Sequence, residues 1–157
     1  MMMTNSVTAT AHRSPLRTAA LAVGVVFLLV GIMGFIPGLT TDYDQMGGAG
    51  HDSMAKLLGV FQVSVLHNIV HLLFGLAGIA LARNDSTARS YLIGGGLIYL
   101  VLWVYGLVID KSASANFVPL NNADDWLHLV LGIAMIGLGV ALGRGVRGRR
   151  SSAATTL

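Results

Sequence analysis

A chain of 157 residues is the size of one domain, but 54% of it is hydrophobic and only 11% is charged, against about a quarter charged in soluble domains. That balance belongs to a membrane protein, and the 20 glycines suit helices that approach closely in lipid, where small residues permit tight packing. The lack of cysteine excludes disulfides, thiolate metal sites, iron–sulfur clusters and covalently attached haem, and the net charge of +3 is too segregated along the chain to indicate a nucleic-acid partner.

Residues 1–16 are polar, carry no apolar period and read as a disordered arm ahead of Arg17. The apolar run 18–36 is longer than a signal-peptide core and ends without a small-x-small cleavage site, so it reads as a retained first span closed by Pro37 and Gly38. Residues 39–56 are rich in Gly and Asp and read as a solvent-exposed loop. Residues 57–63 are apolar but too short to span, and are expected to lie at the interface or pack as a re-entrant piece. A second helix follows over 65–82, with Ser64 as its N-cap and a polar exit at 83–86.

The third span, 90–109, holds Gly94, Gly95 and Gly96 with the aromatics Tyr99, Trp103 and Tyr105, which read as core and belt residues; Asp110 and Lys111 end it. Pro119 breaks the short connection that follows. Asn121 or Asn122 then caps the fourth span, 124–142, which is followed by a basic tail with Arg144, Arg147, Arg149 and Arg150. The expected fold class is therefore all-α: a polytopic membrane protein of four transmembrane helices over residues 17–143, with a cytoplasmic arm (1–16) and a basic cytoplasmic tail (144–157).

Positive charge sets the orientation. With the N-terminus in the cytoplasm, Arg13, Arg17, Arg83, Arg89, Arg144, Arg147, Arg149 and Arg150 lie inside, and only Lys56 and Lys111 of the 10 basic residues lie outside. Both termini are then expected in the cytoplasm of a multi-pass protein of the bacterial cytoplasmic membrane.

The polar interruptions of the spans are organised in pairs. His67, Asn68 and His71 open the second helix, and Asp124, Asp125 and His128 open the fourth, sharing the pattern (His/Asp)-(Asn/Asp)-x-x-His-Leu-x-x-Gly. A shift of 57 sets Ser64 on Asn121, Asn68 on Asp125, His71 on His128 and Gly75 on Gly132; a shift of 72 sets Arg17 on Arg89, Gly24 on Gly96, Leu28 on Leu100 and Gly34 on Gly106. The chain thus reads as two tandem hairpin repeats, 17–83 and 89–143, related by a pseudo-two-fold axis along the membrane normal.

Residues four apart share a helix face, so His67 with His71, and Asp124 with His128, point the same way. Both His71 and His128 fall about 10 Å below the outer helix ends at roughly 1.5 Å per residue, where polar groups need partners. The bland reading is a buried polar network of Asn68, His71, Asp125 and His128 that locks the repeats together. Two sharper readings accompany it: a divalent-metal or proton site with His67, His71, Asp124 and His128 as candidate groups, and non-covalent haem held axially by His71 and His128. A diiron site would need more histidines or carboxylates than the chain offers. Gly75 and Gly132, with Gly139 and Gly143 further along the fourth helix, are the candidate helix-packing positions.

The motifs Gly59-Val-Phe-Gln-Val, Leu66-His67-Asn68-Ile-Val-His71-Leu-Leu-Phe-Gly75 and Asn121-Asn-Ala-Asp-Asp-Trp-Leu-His128-Leu-Val-Leu-Gly132 resemble those of a family of small, mostly actinobacterial four-helix membrane proteins classified as a domain of unknown function. Ser64-Val65 and Asp125 depart from its pattern. The resemblance implies the four-helix fold and no established activity. The function expected is that of a non-enzymatic accessory or assembly subunit in the bilayer, packed against other membrane proteins or itself, without a cofactor; a histidine-based site for metal, proton or haem is the alternative.

Overall fold

Capping decides where the first helix starts. In the computed structural model, which describes residues 13–154 and their side chains as far as residue 145, α1 runs over Pro15–Met33. The Ser14 side chain accepts from the Arg17 amide, and proline sits where its missing N–H is not needed. The helix therefore begins inside the stretch expected to be a disordered arm. Residues 1–12 of that arm, and 155–157 of the tail, lie outside the described residues.

Three more α-helices follow among the described residues: α2 (Val65–Leu81), α3 (Asp85–Val108) and α4 (Asn122–Ala154). By length and composition Pro15–Met33, Asp85–Val108 and Asn122–Gly145 are long and apolar enough to cross a membrane, whereas α2 has 17 residues, near the lower limit for a span. The helical backbone of α4 continues 12 residues past the expected end at Leu142, through the arginine-rich segment. Hydropathy loses a helix there because arginine and serine carry no apolar signal.

The helix order alternates direction, so α1 lies along α2 and α3 along α4, with lesser contact of α1 on α3 and α4. One end of the bundle carries both termini of the described chain and the α2–α3 turn. There the Arg17 guanidinium donates to the Ala82 carbonyl at 3.1 Å, and the Ser14 hydroxyl donates to the Asp85 carboxylate. The other end, called here the loop end, carries residues 34–64 and 109–121. The outward faces are apolar: Val101 and Val108 are 67% and 77% exposed, and Val130 and Ile133 are similarly bare.

The segment between α1 and α2 is more structured than its composition indicates. It forms a three-stranded antiparallel sheet of β1 (Thr40–Thr41), β2 (Lys56–Leu57) and β3 (Phe61–Gln62), in the order β1-β2-β3, with a 3-10 turn at Tyr43–Gln45. Two expectations are corrected. Residues 57–63 are a β-hairpin, not an interfacial or re-entrant piece, and the loop before them is partly internal: Thr40, Ser53 and Ala55 are buried. Ser53 explains why, since its hydroxyl donates to the Val63 carbonyl at 2.6 Å and accepts from the Gly47 amide at 3.0 Å.

That loop also closes the start of α2. The amides of Val65 and Leu66 have no carbonyl within the helix, and they donate to Gly47 and Gly48 at 3.1 and 2.9 Å. Ser64, fully buried, accepts from the His67 amide at 3.1 Å, as its expected role as N-cap requires. Ser64→Ala is expected to lower stability by about 1 kcal/mol, read as a drop in the thermal midpoint of the protein in detergent.

Candidate functional site

Both helices that start at the loop end present a polar first turn and a histidine one turn deeper, His71 on α2 and His128 on α4. On α4 the cap is Asn121, whose Oδ1 accepts from the amides of Ala123 and Asp124 at 2.8 and 3.0 Å. Asp124 reaches back, its Oδ2 accepting from the Asn121 amide at 2.9 Å, so that the pair forms a capping box. The same Oδ2 accepts from the Gln62 amide of β3 at 3.2 Å, and the Asn121 side-chain amide donates to the Val60 carbonyl at 2.7 Å. These bonds tie the β-hairpin of the first loop to the start of α4.

The tie roofs a cavity of about 210 Å³ at the loop end. Its polar lining is His67, His71, Asp124 and His128, the four residues singled out in the sequence as candidate metal or relay groups, and each is more than 90% buried. Apolar side chains from α1 (Val30, Met33), the β-hairpin (Leu57, Leu58, Phe61) and α4 (Leu127, Leu131) complete it. Leu58 and Leu127 are the exposed members, at 59% and 37%, so the mouth lies between the hairpin turn and α4.

Inside, the His71 Nδ1 lies 3.0 Å from the His67 carbonyl. A carbonyl only accepts, so Nδ1 carries the proton, and the neutral ring keeps Nε2 as its acceptor. The His67 and His71 rings stand 4.2 Å apart, and His128 meets the Tyr99 ring edge-on at 5.1 Å. Tyr99 stacks in turn on Phe27, which touches His71, so an aromatic chain through the core joins α1, α2, α3 and α4 behind the cavity. The Nδ1 atoms of His67 and His128 are fully enclosed and have no hydrogen-bond partner.

The four residues expected to form one buried network are instead divided. Asn68, fully buried, touches the Met46 sulfur with Nδ2 at 3.8 Å and leaves Oδ1 unpaired. Asp125 is bound by Lys111, whose ammonium lies 2.9 and 2.7 Å from its two oxygens and 2.6 Å from the Gly106 carbonyl. Among the described residues His71 and His128 bond neither each other nor Asn68 or Asp125. What gathers around a common space is the other set, with His67 and Asp124 in place of Asn68 and Asp125.

The sharper readings of the set meet geometric limits. Among the described residues no three His, Cys, Asp or Glu side chains stand close enough to hold a metal ion. Haem does not fit either, because a cavity of about 150 Å³ is filled by a single benzene ring and 210 Å³ has no room for a tetrapyrrole macrocycle.

From the sequence, Lys111, Asn116, Ser53 and Gln62 are assigned no role in a site. Asn116 is fully buried and holds the second loop, accepting from the Leu120 amide at 3.2 Å and donating to the carbonyls of Lys111 and Leu120. Lys111 could have been found, since an acid at 125 where the first copy has Asn68 requires a cation at the same end. The candidate packing glycines all face neighbouring helices of this chain: Gly75 lies against Gly24 and Leu28, Gly132 against Gly96 and Leu100, Gly139 against Leu92 and Ile93, and Gly143 against Arg89.

The family model for a domain of unknown function, DUF4383, matches residues 17–141. No curated protein and no solved structure matches the chain.

Proposed function

This chain belongs to the DUF4383 family, and from that premise, which carries no assigned activity, we propose that it is a non-enzymatic integral membrane protein whose helices build a binding cavity between two hairpins. The single observation behind this reading is that His67, His71, Asp124 and His128, from the two helices that bear the related motifs, line one enclosed space. Desolvated polar side chains around a cavity are costly where their remaining donors and acceptors stay unpaired. A bound polar molecule would supply the missing partner.

The helices are four spans in two tandem hairpins, α1 with α2 and α3 with α4. Matching contacts support the repeat: a Cβ added at Gly24 would meet the Gly75 carbonyl at 2.9 Å, and one added at Gly96 would meet the Gly132 carbonyl at 2.8 Å. Gly34 likewise lies against Asn68 as Gly106 lies against Asp125. The charge asymmetry of the sequence orients the bundle in the bacterial cytoplasmic membrane with both termini inside, so the cavity opens toward the outer face.

The test is extraction of the protein purified from its native membrane, followed by mass spectrometry. One small molecule per chain, retained by wild type and lost from the fully folded His71→Gln/His128→Gln variant, is the expected result. Equal content in both proteins would overturn the reading. An accessory subunit docked on other membrane proteins is compatible with the same bundle, but its support is limited to apolar outer faces that lipid covers equally well. Recovery of a defined partner after mild solubilisation is the outcome that would favour it.

A further inference from the structure

Size, donor pattern and position of the cavity together restrict its ligand. This inference rests on the binding-site reading above and specifies what is bound. The volume of 210 Å³ exceeds the about 150 Å³ that holds benzene, so one substituted ring fits. The lining is apolar except at two levels: His67 and Asp124 lie in the first turns of α2 and α4, and His71 and His128 lie four residues deeper, about 6 Å along each helix. A flat apolar ring with oxygens at both ends matches that arrangement.

Donors and acceptors narrow it further. His71 offers Nε2 as an acceptor because its Nδ1 proton is committed to the His67 carbonyl. For His128 the enclosed Nδ1 has no partner, and a buried unpaired lone pair is less costly than a buried unpaired N–H. The proton therefore sits on Nε2, which is the ring edge left to face the cavity. Asp124 spends Oδ2 on two amides and keeps Oδ1 among the described groups without a protein partner. The cavity thus presents both donors and acceptors, and no cationic side chain lines it. A hydroxyl oxygen on a ring answers both, since it donates and accepts.

The mouth points to a membrane-borne ligand. Leu58 stands at φ 53° at the hairpin turn, a left-handed conformation that costs a non-glycine residue about 1–2 kcal/mol. Its exposed side chain nevertheless forms part of the cavity wall. Glycine would suit the turn better, but the leucine places an apolar contact at the opening. We propose that this cavity holds the hydroxylated single-ring headgroup of a membrane amphiphile, of the quinol class, with its tail leaving between Leu58 and Leu127. Binding alone is proposed, with no redox step.

The experiment is retention of a decyl-tailed benzoquinol by the full chain in nanodiscs after washing, with decylbenzene, which lacks the oxygens, and the tail-less quinol as probes. Wild type is expected to retain one decyl-tailed quinol per chain and at least about tenfold less decylbenzene, because a site built to hydrogen-bond oxygens strongly rejects the analogue without them. The tail-less quinol is expected to be held more weakly, which separates a lipid ligand from a free phenol of the same chemistry. His128→Gln is expected to reduce retention about tenfold at unchanged elution volume. Leu58→Gly removes an exposed side chain and keeps the test open if the histidine variant fails to fold; it is expected to release quinol faster while its thermal midpoint holds or rises.

Equal retention of quinol and decylbenzene, or of quinol by wild type and the folded variants, would mean partition into bulk lipid and overturn the proposal. A different molecule co-purifying with wild type and lost from the histidine variant would overturn the quinol class while leaving the binding site in place.

Discussion

Replacing Lys111 with methionine is expected to destabilise the protein by about 3–5 kcal/mol, the range seen when one partner of a buried ion pair is removed. The Asp125 carboxylate is 6% exposed, and Lys111, 32% exposed, bonds both of its oxygens. Without the ammonium, the carboxylate is left facing the Gly106 carbonyl that Lys111 also holds, and two acceptors then confront each other without a donor. The loss is specific to an uncompensated charge. Lys111→Met/Asp125→Asn should therefore recover most of it, because the pair then carries the neutral chemistry of the first hairpin, where Asn68 stands at the corresponding place against Gly34. Unfolding in bicelles, followed for wild type, both single variants and the double variant, gives the coupling directly. A double variant no more stable than Lys111→Met would show that the lysine acts through its loop and not through the charge.

The helices were legible because each is a long apolar run bounded by chemistry that a sequence displays: Ser64 and Asn121 hold their helix starts as their residue types indicate. The small sheet was not. Leu57 to Val63 is a short apolar stretch, and periodicity alone does not separate a strand from a short helical or interfacial piece at that length; pairing of β2 with the distant Thr40 and Thr41, in the register Thr40–Leu57 and Thr41–Lys56, decides it. The histidines were legible as a set, since spacing by four fixes which of them share a face. Their division was not, because whether Asn68 or His67 turns to the common space depends on the rotation of α2 against α1, set by glycines at Gly24, Gly31 and Gly75. Lys111 was read only as the end of a span, its partner lying 14 residues away across a loop.

Those glycines carry the second large effect. Gly75→Ala is expected to cost at least about 1–3 kcal/mol, the usual penalty of overpacking, although it adds a single methyl group and favours the helix by propensity. The added Cβ would sit 2.5 Å from the Leu28 amide nitrogen and 2.7 Å from the Gly24 carbonyl oxygen. Both are backbone, so no rotamer change can relieve the contact and α1 must move away from α2. Gly132→Ala, at the corresponding place in the second hairpin, meets the Leu100 side chain first, at 2.6 Å, and the Gly96 carbonyl only at 3.0 Å; a leucine can turn, so the penalty there should be smaller. Gly94→Ala has nothing within 4 Å of the new atom and should be neutral or stabilising. The ranking, measured as thermal midpoints of the three variants in one detergent, separates steric contact from the generic effect of removing a helical glycine, which predicts stabilisation at all three. Because α1 contributes Val30 and Met33 to the cavity and α2 contributes His67 and His71, the displacement in Gly75→Ala should also lower ligand retention, whereas Gly94→Ala, on the outer side of α3, should leave it unchanged.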